Sequence, residues 1–342
     1  MNFEILKNLS EAHAPSGNEG EVRQIIKKEI KPYVDEMYVD KFGNLIARKK
    51  GSGTSIMLAA HMDEIGLMVR SIDKEGKVFV AAIGGVEPVT FLGERVKIVT
   101  STKKEIFGVV TTREIQNSIE LTSLPAIGDV YIDVGGDKNY CEKEGVRIGD
   151  YAYVMKSFWE LGDQLDMISG KALDDRIGCY ILVELAKRLR KSKADIYYVF
   201  TVQEEIGLYG AETSVYSIDP DYAIVVDVTE ADDGDVESTK KCVCKGPVIV
   251  MKDAEMITTK CINDWLFAIA KKLKISLQPD VGGFGTTDAL NMSVSKGGLP
   301  LGVVGVAVRN IHTATSIASK KDITDLINIL EVLMKNPPKI CL

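Results

Sequence analysis

The run Ser55-Ile-Met-Leu-Ala-Ala-His61-Met-Asp63-Glu64 decides how this chain of 342 residues is read. Apolar side chains on both faces of a strand mark a buried position in a parallel sheet, and here the strand runs directly into a histidine and two carboxylates. The pattern recurs three times. Ile196-Tyr-Tyr-Val-Phe-Thr-Val202 leads to Gln203-Glu204-Glu205, Tyr222-Ala-Ile-Val-Val226 ends at Asp227, and Leu301–Ala307 leads through Arg309-Asn310-Ile311 to His312. Four strands thus each deliver a histidine or a carboxylate at the C-terminal end, the edge where open α/β sheets bind their ligands.

Outward from these strands the chain divides. Between Glu19 and Ile30, apolar Val22, Ile25, Ile26 and Ile30 have the spacing of an amphipathic helix, followed by strands at Glu36–Val39 and Leu45–Arg48. From Gly66 to about Asp163 short β-like runs alternate with Gly-, Lys- and Asp-rich turns: Leu67–Ile72, Val78–Ile83, Arg95–Val99, Glu105–Val110, Asp129–Val134 and Tyr151–Val154. No helix is predicted there. Helices return at about Asp174–Lys191 and Thr258–Leu273, and a last one begins after the cap-like Asp322 and ends near Lys335. The simplest architecture is an α/β domain, residues 1–66 plus 164–342, with a mixed sheet flanked by helices. A small β-barrel domain, residues 67–163, is inserted into it.

Composition bounds the function. With 45% hydrophobic and 27% charged residues the chain is an ordinary globular protein, and its length fits roughly two domains. Forty-two basic residues against 49 acidic give a net charge of −7, which argues against a nucleic-acid partner. Lys27-Lys28 and Lys103-Lys104 read as solvated faces. The cysteines, at 141, 179, 242, 244, 261 and 341, form no zinc-binding set, because Cys242-Val-Cys244 lacks a second pair or a nearby histidine. No signal peptide and no apolar run of about 20 residues is seen. The expectation is a cytoplasmic protein with no membrane partner.

Two of the three histidines, His61 and His312, fall at strand ends, whereas His13 lies in the loop-like Ala12-His13-Ala14-Pro15-Ser16-Gly17 and reads as structural. Asp63, two residues after His61, is placed to hold the second imidazole nitrogen of a metal-bound histidine. Glu204 and Glu205 would point to opposite faces of a regular strand. Where the chain turns, both can reach one cleft, one binding metal and the other acting as general base. Asp174 opens a helix, where it either caps or bridges two ions. The charges balance for two metals: Asp174, Glu205 and Asp227 with two neutral imidazoles carry −3, and two divalent ions with a bridging hydroxide bring the site to zero. With Asp174 bridging, one ion takes His61 and Asp227 and the other Glu205 and His312, an open arrangement suited to activating water and polarising a carbonyl. Zinc, cobalt and manganese all accept such ligands.

In its motifs the chain resembles the glutamyl and tetrahedral aminopeptidase family of co-catalytic dimetal peptidases. The motifs are His61-Met-Asp-Glu-Ile-Gly, Lys171-Ala-Leu-Asp-Asp-Arg-Ile-Gly, Val202-Gln-Glu-Glu-Ile-Gly, Val226-Asp-Val-Thr and Gly285-Thr-Thr-Asp-Ala, in the family's order over nearly the whole chain. The resemblance implies a zinc-peptidase-like catalytic domain with a PDZ-like insert used for dimerisation, and dimers that often assemble into hollow dodecamers. It implies metal ligation by His61, Asp174, Glu205, Asp227 and His312, with Asp174 bridging, Glu204 as general base and Asp63 supporting His61. Gly283, Thr287 and Asp288 of the Gly-rich loop are substrate-binding candidates. The chain departs from the family pattern in three places: Arg309-Asn-Ile-His312-Thr stands for Arg-Tyr-x-His-Ser, Val228-Thr-Glu-Ala-Asp-Asp-Gly for a Thr-Pro-Gly-containing loop, and Thr111-Thr-Arg-Glu-Ile-Gln lacks a Pro-Pro-His. The reading is a metal-dependent aminopeptidase on short peptides, using a hydroxide that bridges two divalent ions. The rivals are a dimetal deacylase on the same scaffold and a catalytically silent assembly protein.

Overall fold

The computed structural model describes residues 2–164, 166–234 and 241–338, and Cys341 lies outside them. Helices α1 (Glu4–Glu11) and α2 (Gly20–Ile30) precede strands β1 (Glu36–Val39), β2 (Leu45–Lys49) and β3 (Ser55–His61). Strands β4 (Gly66–Ile72), β5 (Val78–Ile83), β6 (Arg95–Val99), β7 (Glu105–Thr112), β8 (Val130–Asp133) and β9 (Tyr151–Val154) then close a barrel in the order β4-β5-β8-β7-β6-β9. Two short helices, α3 (Arg113–Gln116) and α4 (Lys138–Glu144), sit in this segment, where none was predicted. Helix α4 buries only Cys141 and so carries no apolar period. Its boundaries come from caps instead: Asp137 accepts the Tyr140 amide, and Gly145 ends it at φ 85°.

After the barrel come β10 (Trp159–Leu161), β11 (Met167–Gly170), α5 (Leu173–Arg188), β12 (Asp195–Thr201), α6 (Tyr209–Ile218), β13 (Tyr222–Glu230) and β14 (Val248–Lys252). The chain continues through α7 (Lys260–Leu273), β15 (Gln278–Val281), α8 (Ala289–Ser293), β16 (Leu301–Arg309), β17 (Ser316–Ser319) and α9 (Lys320–Lys335). Among the described residues eleven strands form one sheet in the order β1-β2-β12-β3-β13-β16-β17-β11-β10, with β14 joined to β16 and β15 to β14. At its centre β12, β3, β13 and β16 are parallel neighbours, with Thr201 opposite His61 and Asp227 opposite Gly305. The pairs β1–β2, β2–β12, β16–β17 and β11–β17 are antiparallel, so the sheet is mixed.

Both faces of the central strands are covered, which is why they read as unbroken apolar runs. On one face Leu58, Phe200, Ile224 and Val304 pack with Leu9, Ile26, Leu182 and Leu330 of the helices. On the other, Met57, Val199, Val225 and Val303 meet Ala211, Val215, Ala289 and Met292. The barrel has its own core, including Val69, Val80, Val96, Ile98, Val110 and Ile132.

Two boundaries differ from the sequence expectation. Strand β13 does not end at Asp227 but runs on to Glu230, because β16 pairs with it as far as Val308. Helix α9 is capped by Ser319, whose hydroxyl accepts the Asp322 amide. The Asp322 carboxylate instead accepts the amides of Cys244 and Gly246, at 2.7 and 3.0 Å.

Candidate active site

The parallel strands deliver their polar residues to one cleft of about 1000 Å³, whose lining includes His61, Asp174, Glu204, Glu205, Asp227 and His312. His61 is the last residue of β3. Asp227 lies inside β13 opposite Gly305, where a Cβ would stand 1.6 Å from the Asp227 carbonyl oxygen, so the close approach requires glycine. After β12 the chain turns through Gln203 at φ 56°, a left-handed conformation that breaks strand alternation. Glu204 and Glu205 consequently both face the cleft. Asp174 and Asp175 precede the regular turns of α5, with ψ of 111° and 46° and a cis peptide between them. The Gly178 amide near the start of the regular turns is accepted by Asp175 Oδ1 at 2.9 Å, while Asp174 faces the cleft.

Distances organise the set around Asp174. Its Oδ1 lies 2.9 Å from His61 Nε2 and its Oδ2 3.4 Å from His312 Nε2. Asp227 Oδ1 is 3.8 Å from the same His61 nitrogen, and Glu205 Oε2 is 3.6 Å from the same His312 nitrogen. His61, Asp174 and Glu205 each offer one donor atom within 4.8 Å of the others, and so do His61, Asp175 and Asp227. One Asp175 oxygen, fully buried, has no hydrogen-bond partner.

Electrostatics describe a crowd of acids short of cations. Burial pushes the Glu205 carboxyl up to about 8, and the Asp174 charge adds to the effect. Burial and then Asp174 likewise raise Asp227, to about 7. Glu204 is raised well above the carboxylate range by burial, with Asp227, Asp288 and Glu205 adding to the shift. At Asp174 burial works upward, but the bonded imidazoles of His312 and His61 outweigh it and hold the carboxyl well below its usual range. His312 rises to about 9 through its contact with Asp174. Buried carboxylates with two imidazoles and an orphaned oxygen form a donor set that divalent cations fit.

Asp63 has a broader part than the spacing suggested. The nearest of its atoms to His61 Nδ1 is its own main-chain oxygen, at 3.2 Å, while the carboxylate is 3.6 Å away. That carboxylate instead accepts the amides of Glu204 and Glu205, at 3.1 and 3.2 Å. Of the loop candidates, Gly283 and Thr287 line the cleft. Asp288 lies behind it, buried, with Oδ2 accepting the Thr201 hydroxyl at 2.6 Å and Oδ1 without a partner. The sequence reading passed over Asp175 and a buried ion cluster of Glu64, Lys171 and Arg176 beside the ligand segments. Their sequence signal is adjacency to His61 and Asp174, since a charged residue seldom follows a buried strand without a partner.

Residues 43–329 match the family model described as M42 glutamyl aminopeptidase. The chain is 34% identical to a lysyl aminopeptidase of Pyrococcus furiosus, over 98% of this chain and 97% of that protein. Among solved structures, the aminopeptidase APDkam598 of the archaeon Desulfurococcus kamchatkensis superposes with a TM-score of 0.92 at 35% identity, covering 98% of this chain and 94% of that one. The TET1 peptidase of Pyrococcus horikoshii, described as able to assemble into a tetrahedron or a large octahedral shell, gives 0.87 at 31% identity over 98% and 99% of the two chains. A matched family model spanning most of the chain, with relatives aligned end to end, places this protein in the M42 glutamyl aminopeptidase family, as a hydrolase that acts on peptides.

Proposed function

We propose that this chain removes N-terminal residues from short peptides with two divalent cations, zinc, cobalt or manganese, held by His61, Asp174, Glu205, Asp227 and His312. The observation that carries the proposal is the placing of the Asp174 oxygens, one against His61 and the other against His312, with Asp227 near the same His61 nitrogen and Glu205 near the same His312 nitrogen. That geometry suits one shared ligand between two unshared pairs. Bound there, the cations supply Lewis-acid polarisation of a carbonyl and a lowered pKa for water.

The protein's own residues do the rest. Glu204 takes the proton of the attacking water and returns it to the leaving amine. Asp63 fixes the Glu204–Glu205 turn through its two amide contacts, so the base meets the substrate with little reorganisation. Gly283 and Thr287, on the cleft wall, take part in seating the N-terminal residue. The inserted segment, residues 67–163, serves association between copies, consistent with exposed apolar Phe107, Ile119 and Leu124. Among the described residues no helix is long and apolar enough to cross a membrane.

The test is Glu204→Gln. It should keep its metal content and lose about 10²–10⁴-fold in turnover, the usual worth of a general base. Wild-type turnover in that variant removes Glu204 from the role.

A further inference from the structure

The loop from Ala12 to Asn18 lies outside the lining of the cleft and takes no part in the steps above. One end is held by buried charges: Lys171 Nζ donates to the Ala12 carbonyl at 2.6 Å and to both Glu64 oxygens at 2.8 and 2.7 Å. Arg176 adds a bond to Glu64 at 3.2 Å and one to the Met62 carbonyl at 2.9 Å, and Glu64 accepts the Ala14 amide at 2.8 Å. The other end is held by the barrel. Tyr151 donates its hydroxyl to the Ser16 carbonyl at 3.3 Å, and Asn18 Nδ2 donates to the Tyr153 hydroxyl at 2.6 Å. Between these anchors Ser16, 4% exposed, donates its hydroxyl to Asp63 Oδ2 at 2.6 Å. Asp63 is fully buried and holds the Glu204 amide on Oδ1 and the Glu205 amide on Oδ2.

We infer that Ser16 is a positioning residue for the reaction, fixing the Glu204–Glu205 turn through Asp63. The inference rests on the reading of Glu204 as the base. An ionised carboxylate accepts at about four sites. At Asp63 the two amides and the Ser16 hydroxyl take three, and the Ser16 bond is the shortest of them. Without that hydroxyl, Oδ2 keeps only the 3.2 Å Glu205 amide. The carboxylate is then free to swing its Oδ1 toward His61 Nδ1, 3.6 Å away, and the Glu204 amide held on that oxygen follows it. Displacing a base by a fraction of an ångström slows the chemical step while leaving substrate binding alone.

The experiment is steady-state kinetics of the metal-loaded full chain on one free-amine peptide. Ser16→Ala should lower kcat about tenfold with KM within about twofold and the metal content unchanged. Ser16→Thr keeps the hydroxyl and should restore kcat. In a Glu204→Gln background Ser16→Ala should add no further loss, because the serine acts through that residue. A wild-type kcat in Ser16→Ala overturns the positioning role, as does a loss confined to Tm or metal content, or one that multiplies with Glu204→Gln. Full activity of Glu204→Gln alone is a separate result: it sinks the base assignment, and the positioning role with it.

Discussion

The central sheet and the barrel are both made of short strands, yet they turn different residues outward. In β3, β12, β13 and β16 nearly every side chain is buried, and the polar residues are concentrated at the C-terminal edge. In the barrel strand β7 buried and exposed positions interleave, leaving Phe107 at 57% exposure with Val109 beside it. Leu124 and Ile148, outside the strands of the same segment, are 75% and 74% exposed. The four central strands therefore hide their apolar surface and show chemistry, whereas the barrel hides a small core and shows apolar surface. Beside the proposed site the barrel comes close at the turn of Gly84 and Gly85. A Cβ on Gly85 would stand 2.9 Å from His312 Nδ1, and one on Gly84 3.1 Å from Glu205 Oε2. The insert thus abuts two of the proposed ligands without donating a ligand atom.

This division of labour can be broken from either side. On the sheet side, Asp174→Asn removes the charge shared between the two histidine groups. Turnover should fall by on the order of 10³-fold or more, together with loss of bound metal measured by elemental analysis. Retained metal and activity would mean that Asp175, the neighbouring buried acid, is the shared ligand. At the meeting point, Gly85→Val should push His312 away and cost about 10–100-fold in metal affinity, the usual effect of disturbing a ligand's surroundings. Unchanged affinity in a metal titration would show that the barrel is no part of the site. On the barrel side, Phe107→Glu should leave kcat within about twofold, since the residue lies outside the cleft. It should also shift the molecule to a smaller assembly in sedimentation velocity. An unchanged assembly would exclude that face from the subunit contact.

How far these features were legible in the sequence follows from the same contrast. A strand buried on both faces writes itself as an apolar run, so Ser55–His61 and the other three central strands could be read directly, along with the carboxylates and histidines at their ends. The barrel strands were legible through their turns. The helices set by caps were not: α4 depends on Asp137 and Gly145 and has no apolar stripe to announce it. Nor could the sequence show that Asp63 reaches the Glu204 and Glu205 amides. Those contacts link residues more than a hundred positions apart, and only the register of β3 against β12 brings them together. Asp175 was masked by its neighbour, because two adjacent acids at a helix start read equally well as a cap and a solvated residue.

The central claim is a metal-dependent attack at the bond next to a free amine. The most direct test is turnover of a set of free-amine peptides beside their N-acetylated twins, using EDTA-stripped protein before and after zinc, cobalt or manganese is returned. The account predicts no cleavage without metal, and with metal cleavage of the free-amine peptides alone, one N-terminal residue at a time. Cleavage by the stripped protein, or equal cleavage of the acetylated twins, would contradict it.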